Sequence, residues 1–335
     1  MPSSGLPNFS LDIMTSRIAY NNPGRNGAFG LPYHYELLAD RQRLDPLRRA
    51  ISVAAPGRRV LESGAGSGIL SILAARAGAE MVYTTEPDRQ VARFARNNVA
   101  RSGYGHKIRI IEKDTRELTI RDIDNSPVDM VIAEHLSTWQ VTEAQIPVMN
   151  HINKLLAAEG AVRIPESASN RIELAWSQFR FEDVVELRTA YFGFSGIPKP
   201  QIFSEPLEVQ PVFFNRINPT LVDRSVQILT TRSGIVNSLR LTSPLCIFGD
   251  IRFESSDSLM PPVIIPLPDD IEVAAGDSVQ VHVTYHCETN WSEVQCESRV
   301  VVPAYQEFQI TASAYRGDAH YGARSALSEG KCHGD

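Results

Sequence analysis

A chain of 335 residues is long enough for two domains, each with its own core. Hydrophobic residues make up 43%, an ordinary globular share, and no apolar run is long enough to span a bilayer. A net charge of −6 without a long basic run argues against nucleic acid or an anionic membrane as partner.

Residues 1–34 read as an N-terminal arm, rich in turn formers at Asn21-Asn22-Pro23-Gly24-Arg25-Asn26-Gly27. The start, Met1-Pro2-Ser3-Ser4-Gly5, lacks a signal-peptide pattern, so a cytoplasmic protein is expected. From Tyr35 to Ile51 the apolar spacing predicts a helix, with Leu37, Leu38, Leu44, Leu47 and Ile51 on one face and Pro46 as a kink or division. Val60-Leu61 then ends a buried strand that runs into Glu62-Ser63-Gly64-Ala65-Gly66-Ser67-Gly68, followed by a helix over 67–77. Gly64, Gly66 and Gly68 let the backbone turn tightly and let a ligand approach the helix N-terminus. This G-x-G-x-G spacing differs from the G-x-G-x-x-G of dinucleotide enzymes. Glu62 suits a ligand carrying a positive amino group better than one carrying a pyrophosphate.

Met81–Thr85 predicts the second strand, and Glu86 follows it, eighteen residues after Gly68. An acidic side chain there can accept hydrogen bonds from both hydroxyls of a ribose. A ribose, a positive amino group and no phosphate together point to S-adenosyl-L-methionine. A helix over 88–100, strands at 108–111 and 128–133, and a helix over 141–156 complete an α/β, Rossmann-like doubly wound parallel sheet over 35–164. Its ligand belongs at the carboxyl ends of the strands.

After Pro165 short strand-like runs replace the helical periodicity, at 171–176, 225–229, 263–267, 278–285 and 293–301. They predict a β-barrel or sandwich domain over 165–315, with a flexible tail at 316–335. Tyr191-Phe192-Gly193-Phe194-Ser195-Gly196-Ile197-Pro198 reads either as an arm burying its aromatics on another subunit or as a loop on its own barrel. Cys246, Cys287, Cys296 and Cys332 lie scattered, with no C-x-x-C pair, so neither a metal site nor a disulfide framework is expected.

The fourth strand ends in Ala133-Glu134-His135-Leu136-Ser137-Thr138-Trp139-Gln140-Val141-Thr142-Glu143, with two carboxylates nine residues apart. A loop returning on itself brings both into one pocket, where they stabilise a cation that forms during reaction. Each alone also reads as surface charge, and Glu143 as a helix N-terminal residue.

With these residues in place, the chain resembles the protein arginine methyltransferase family over about residues 33–300. Glu62-x-Gly64-x-Gly66-x-Gly68 matches that family's first motif, Glu86 its ribose position, and Glu134 with Glu143 its double-glutamate loop. Asp40-Arg41-Gln42-Arg43 is similar to its D-x-x-R, which implies Arg43 as the clamp on the cofactor carboxylate. The resemblance also implies cofactor roles for His34, Thr115 and Arg116, and a homodimer formed through an arm near 186–212.

The chain departs from the family at three places. Leu259-Met260-Pro261-Pro262 stands where the family has Thr-His-Trp, and His135-Leu136-Ser137-Thr138 replaces its Trp-Met-Gly-Tyr. The family's N-terminal tyrosine pair has no clear counterpart among Tyr20, Tyr33 and Tyr35. The chain is similar in these respects to a bacterial natural-product branch that methylates carbon. That similarity implies methyl transfer to C3 of an indole in a small tryptophan-derived diketopiperazine, giving a pyrroloindoline. Glu134, Glu143 and His135 are then the catalytic candidates, with His135 either a base or a structural hydrogen-bond partner, and Tyr20, Tyr33 and Trp139 contact the substrate. An arginine N-methyltransferase with a divergent pocket is the alternative reading, and an inactive cofactor-binding scaffold is a third.

Overall fold

A computed structural model describes residues 31–301. Residues 1–30 of the expected N-terminal arm, with Tyr20, and the stretch 302–335 with the expected tail lie outside the described residues, while residues 31–34 of that arm are helical. Helix α1 (Leu31–Ala39) begins earlier than the periodicity suggested, and α2 (Arg41–Ala54) follows it after one residue. The division falls at Asp40, whose carboxylate caps α2 by accepting the Arg43 N–H at 3.1 Å. It does not fall at Pro46, which sits inside α2 near its start and removes only the bond to the exposed Gln42 carbonyl. Leu44, Leu47, Ala50, Ile51 and Ala54 recur at helical spacing and form the buried face of α2.

Strands β1 (Arg59–Ser63), β2 (Met81–Thr85), β3 (Ile108–Ile111), β4 (Val128–Ala133) and β5 (Ala157–Ile164) alternate with α3 (Ile69–Arg76), α4 (Arg89–Ser102) and α5 (Gln145–Leu155). They form a parallel sheet in the order β3-β2-β1-β4-β5. The central strand is apolar on both faces because helices cover both: Val60 and Leu61 stand beside Val82 and Tyr83 on one side and Met130 and Val131 on the other, all fully buried. The strand order reverses at β1, so β1 and β4 diverge at their carboxyl ends and leave a crevice between them.

The rest of the described chain is antiparallel. Strand β6 (Ser167–Trp176) begins it, followed by a small hairpin of β7 (Arg180–Phe181) and β8 (Val185–Glu186). Then come β9 (Tyr191–Phe192), β10 (Gln201–Ile202), β11 (Leu207–Phe213), β12 (Leu221–Leu229), β13 (Gly234–Thr242), β14 (Leu245–Phe248), β15 (Ile251–Phe253), β16 (Val263–Val273), β17 (Ser278–His286) and β18 (Gln295–Val301). One sheet runs β15-β14-β6-β13-β16-β9, with β10 and β11 also on β6, and curls into a half-barrel. A second sheet has the order β12-β17-β18. Ile172, Leu174, Leu239 and Leu241 of the first sheet and Val279, Val281 and Val283 of the second share one core.

The aromatic segment 191–198 packs on its own barrel. Phe192 is buried in that core with Phe194 against it, and the Gly193 N–H donates to the Pro262 carbonyl at 2.8 Å. Parts of the expected arm are likewise taken up by β9, β10 and β11, whose backbones pair with β16 and β6. Phe181, Val184, Val185 and Leu187 around the β7–β8 hairpin are apolar and exposed, as is Ile197 within the aromatic segment.

Candidate active site

A cavity of about 560 Å³ opens at the carboxyl ends of β1, β2 and β4. Tyr33, His34, Arg43, Glu62, Gly64, Gly66, Glu86, Glu134, His135 and Glu143 all line it. These residues come from six separate stretches of sequence.

The glycine turn is forced by geometry. Gly64, Gly66 and Gly68 have φ of +80°, +51° and +81°, a region that costs other residues about 1–2 kcal/mol. A Cβ on Gly64 would stand 2.8 Å from His135 Cε1, and one on Gly66 would stand 2.9 Å from His34 Cε1. The two imidazoles therefore sit directly on the turn. His34 reaches it from α1, its ring edge-on to Tyr33 with centroids 5.8 Å apart. Gly68 is the N-cap of α3 and does not line the cavity.

Glu62 is buried, and its Oε2 accepts from the Ser71 hydroxyl of α3 and from Thr84 Oγ1 at 3.1 Å. Burial pushes its carboxyl up to about 7, against the pull of those two hydroxyls. Glu86 accepts the Gly66 N–H at 3.0 Å on one oxygen and the Asp88 N–H at 3.1 Å on the other. Burial raises its pKa as well.

The acidic loop does fold back on itself. Gln145 accepts the His135 N–H at 2.9 Å and donates to the Ala133 carbonyl at 3.0 Å, tying the loop's entry to the start of α5. Ser137 Oγ accepts the N–H groups of Thr142 and Glu143 and closes the turn. Both carboxylates consequently line the cavity and do not point into bulk water. Glu134 is ion-paired with Arg43, a pair almost wholly withdrawn from solvent, and Arg43 also donates to the Leu37 carbonyl at 3.1 Å. Burial pushes the Glu143 carboxyl up to about 8, and Arg43 only partly offsets it.

Besides Gly68, three expected site residues lie elsewhere. Trp139 does not line the cavity. Its left-handed backbone (φ 58°) turns the indole into the barrel core, where Nε1 donates to the carbonyls of Arg171 and Thr242 at 3.0 and 3.2 Å. It is 1% exposed and pins the acidic loop to the barrel. Arg116 is exposed and pairs with Asp114 and Glu288 outside the cavity. Thr115 lies beneath the glycine turn, with its hydroxyl 2.5 Å from Ser63 Oγ and 2.6 Å from Thr85 Oγ1.

The sequence reading passed over Ser63, Thr84 and Thr85. Polar side chains at the ends of strands buried on both faces were the signal, since such strands are otherwise near-continuous apolar runs. Among the described residues no cluster of metal-ligating side chains occurs. Among them, too, no helix is long and apolar enough to cross a membrane.

The family of ribosomal protein L11 methyltransferases (PrmA) matches residues 45–164. A protein of uncharacterised function from Methanocaldococcus jannaschii is 28% identical over 256 residues, 76% of this chain and 91% of its own. An arginine N(omega)-methyltransferase of Streptomyces achromogenes is 33% identical over 138 residues, 41% of this chain and 38% of that enzyme. Protein arginine N-methyltransferase 7 of Gallus gallus is 30% identical over 152 residues, 43% of this chain and 22% of its own. The chain thus spans well under half the length of these two arginine methyltransferases.

Two solved structures share the fold. The arginine methyltransferase 1 enzyme–prozyme complex of Trypanosoma brucei, with S-adenosylhomocysteine, aligns with a TM-score of 0.66 at 15% identity, covering 84% of this chain and 98% of that one. Arginine methyltransferase 10 of Arabidopsis thaliana aligns at 0.65 and 16%, covering 85% and 100%.

Glycine cradle, buried carboxylates and parallel sheet fit a nucleoside with a positive tail. The chain is an S-adenosylmethionine-dependent methyltransferase. Its two-part architecture is that of the arginine methyltransferases.

Proposed function

We propose that this enzyme methylates a flat, nitrogen-bearing small molecule lodged between Glu134 and Glu143, and that the acceptor atom is C3 of an indole. Two acidic side chains on one cavity wall carry this reading. S-adenosylmethionine supplies the methyl when bound, and positive charge passes to the acceptor as the sulfur–methyl bond breaks. In an indole alkylated at C3 that charge sits at the ring nitrogen as an iminium. Glu134, ion-paired with Arg43, offsets it as a charge and the Glu143 carboxyl as a hydrogen-bond acceptor, in a site largely withdrawn from water. Burial holds the Glu143 carboxyl up to about 8. It therefore takes up the proton released when the ring closes to a pyrroloindoline only in its ionised form, at and above that pH; below it the proton passes to water.

Arg43 holds the cofactor carboxylate, Glu62 its ammonium and Glu86 its ribose. Alignment of acceptor, methyl and sulfur by these residues supplies roughly 7–11 kcal/mol of the barrier. The rebuilt acceptor side supports the indole. Where the family has Thr-His-Trp, Leu259 and Met260 are buried in the core and do not line the cavity, so no histidine or tryptophan from that position faces the acceptor, and the Pro261 carbonyl accepts from Thr138 Oγ1 at 2.7 Å.

A guanidino acceptor is the second reading. The names of the Streptomyces and chicken relatives favour it, and paired carboxylates suit a planar guanidinium equally well. We further propose a cytoplasmic homodimer. Incubation with methyl-labelled cofactor and either a cyclic Trp-Trp dipeptide or free arginine decides between the acceptors. Label in the dipeptide alone is expected, and label in arginine alone overturns the indole reading.

A further inference from the structure

Four side chains join the carboxyl ends of β1 to β4 underneath the cavity. Gly64 N–H donates to Thr85 Oγ1 at 3.2 Å, Thr85 Oγ1 lies 2.6 Å from Thr115 Oγ1, and Thr115 Oγ1 lies 2.5 Å from Ser63 Oγ. Ser63 Oγ in turn lies 2.7 Å from His135 Nε2. All three hydroxyl residues are buried, at 3%, 0% and 4% exposure for Ser63, Thr85 and Thr115. A buried hydroxyl left with nothing to donate to costs about 1–3 kcal/mol, so each hydrogen must find an acceptor.

That requirement fixes the direction of the whole chain. Thr85 already accepts the Gly64 amide, and its own hydrogen goes to Thr115. Thr115 then donates to Ser63, and Ser63 donates to His135 Nε2. The opposite order strands the Thr85 hydrogen in a dry site. We infer that His135 is held as the neutral Nδ1–H tautomer, with Nε2 used up as an acceptor, and acts as a hydrogen-bond donor to a ligand oxygen on the cavity wall and not as a base. Its ring lines the cavity against Gly64 and next to Glu134. Burial, opposed by Asp114 and by a hydrogen bond to the Ser63 backbone and aided by Arg116, holds its pKa down to about 4. The oxygen it meets belongs either to the cofactor carboxylate or to a carbonyl of the acceptor; only this ligand assignment rests on the function proposed above.

The test is long-range ¹H–¹⁵N NMR of the full chain labelled at histidine. His135 is expected to show a protonated Nδ1 and a bare Nε2, unchanged from pH 5.5 to 8.5. An Nε2–H signal, or a titration midpoint between pH 6 and 7, overturns the inference. Ser63→Ala and, separately, Thr85→Val are expected to mix the tautomers and raise the midpoint; no change in either variant overturns it too. A shift of the Nδ1 proton on adding S-adenosylhomocysteine assigns the partner to the cofactor. A shift only on further addition of the cyclic dipeptide assigns it to the acceptor. No shift with either removes the donor role. The tautomer is read on the free protein, so it stands or falls apart from the choice of acceptor.

Discussion

At Glu62 and Glu143 the protein keeps carboxyls where burial opposes their charge. The consequence for stability has a definite sign. Glu143 ionises near its ordinary 4.5 in the unfolded chain but only at about 8 in the native one. Between those values the unfolded state has lost the proton and the native state has not, so stability falls as pH rises. Glu143→Gln removes that slope. The variant is expected to melt above the native chain at pH 8, by the equivalent of about 4 kcal/mol, and the two should converge below pH 4.5 in calorimetry.

Glu62, at about 7, has a parallel effect on binding. An ammonium group bound to it favours the ionised form, so binding releases a proton. Calorimetric affinity for S-adenosylhomocysteine is expected to weaken from pH 7.5 to pH 6, by up to about tenfold per unit once below 7. A pH-independent affinity removes Glu62 from the ammonium.

Elements place these residues, and two junctions matter most. The glycine turn between β1 and α3 allows no side chain beneath the imidazoles. Gly64→Ala combines a disfavoured φ with a Cβ 2.8 Å from His135, so a loss of about 1–2 kcal/mol and at least tenfold weaker cofactor binding are expected from melting and titration. The α1–α2 junction depends on Asp40. It caps the helix that carries Arg43 and also accepts from Ser258 of the barrel-side loop. Asp40→Ala should cost about 1 kcal/mol as a lost cap. It should also weaken cofactor affinity, because Arg43 loses its anchor.

Both glycine turn and D-x-x-R were legible as motifs because their spacing along the chain is their spacing in space. The Asp40–Ser258 link was not, being made by residues 218 apart.

Across the whole molecule, Trp139 binds the acidic loop to the half-barrel. Its N–H donates to Ser243 Oγ at 2.8 Å, and its carbonyl accepts from the Tyr285 hydroxyl at 2.6 Å. The second part of the protein thereby sets where Glu134 and Glu143 stand. Arg116 spans the same divide on the surface through Glu288. Exposed ion pairs contribute about 0–1 kcal/mol, so Arg116→Ala is expected to leave cofactor affinity within about twofold in the same titration. A tenfold loss instead puts Arg116 back at the adenine.

The sequence by itself determined the alternating parallel sheet, the left-handed glycine turn and the acidic residues at strand ends, because each is written in local periodicity or in short fixed spacing. Only the tertiary structure decided which way the loop side chains face. One positive φ at Trp139 sends an indole expected at the substrate into the barrel, while Gln145 and Ser137 fold Glu134 and Glu143 onto one wall. The same holds for His135. Its protonation follows from hydroxyls on three other strand ends, and no reading of its neighbours along the chain brings those together.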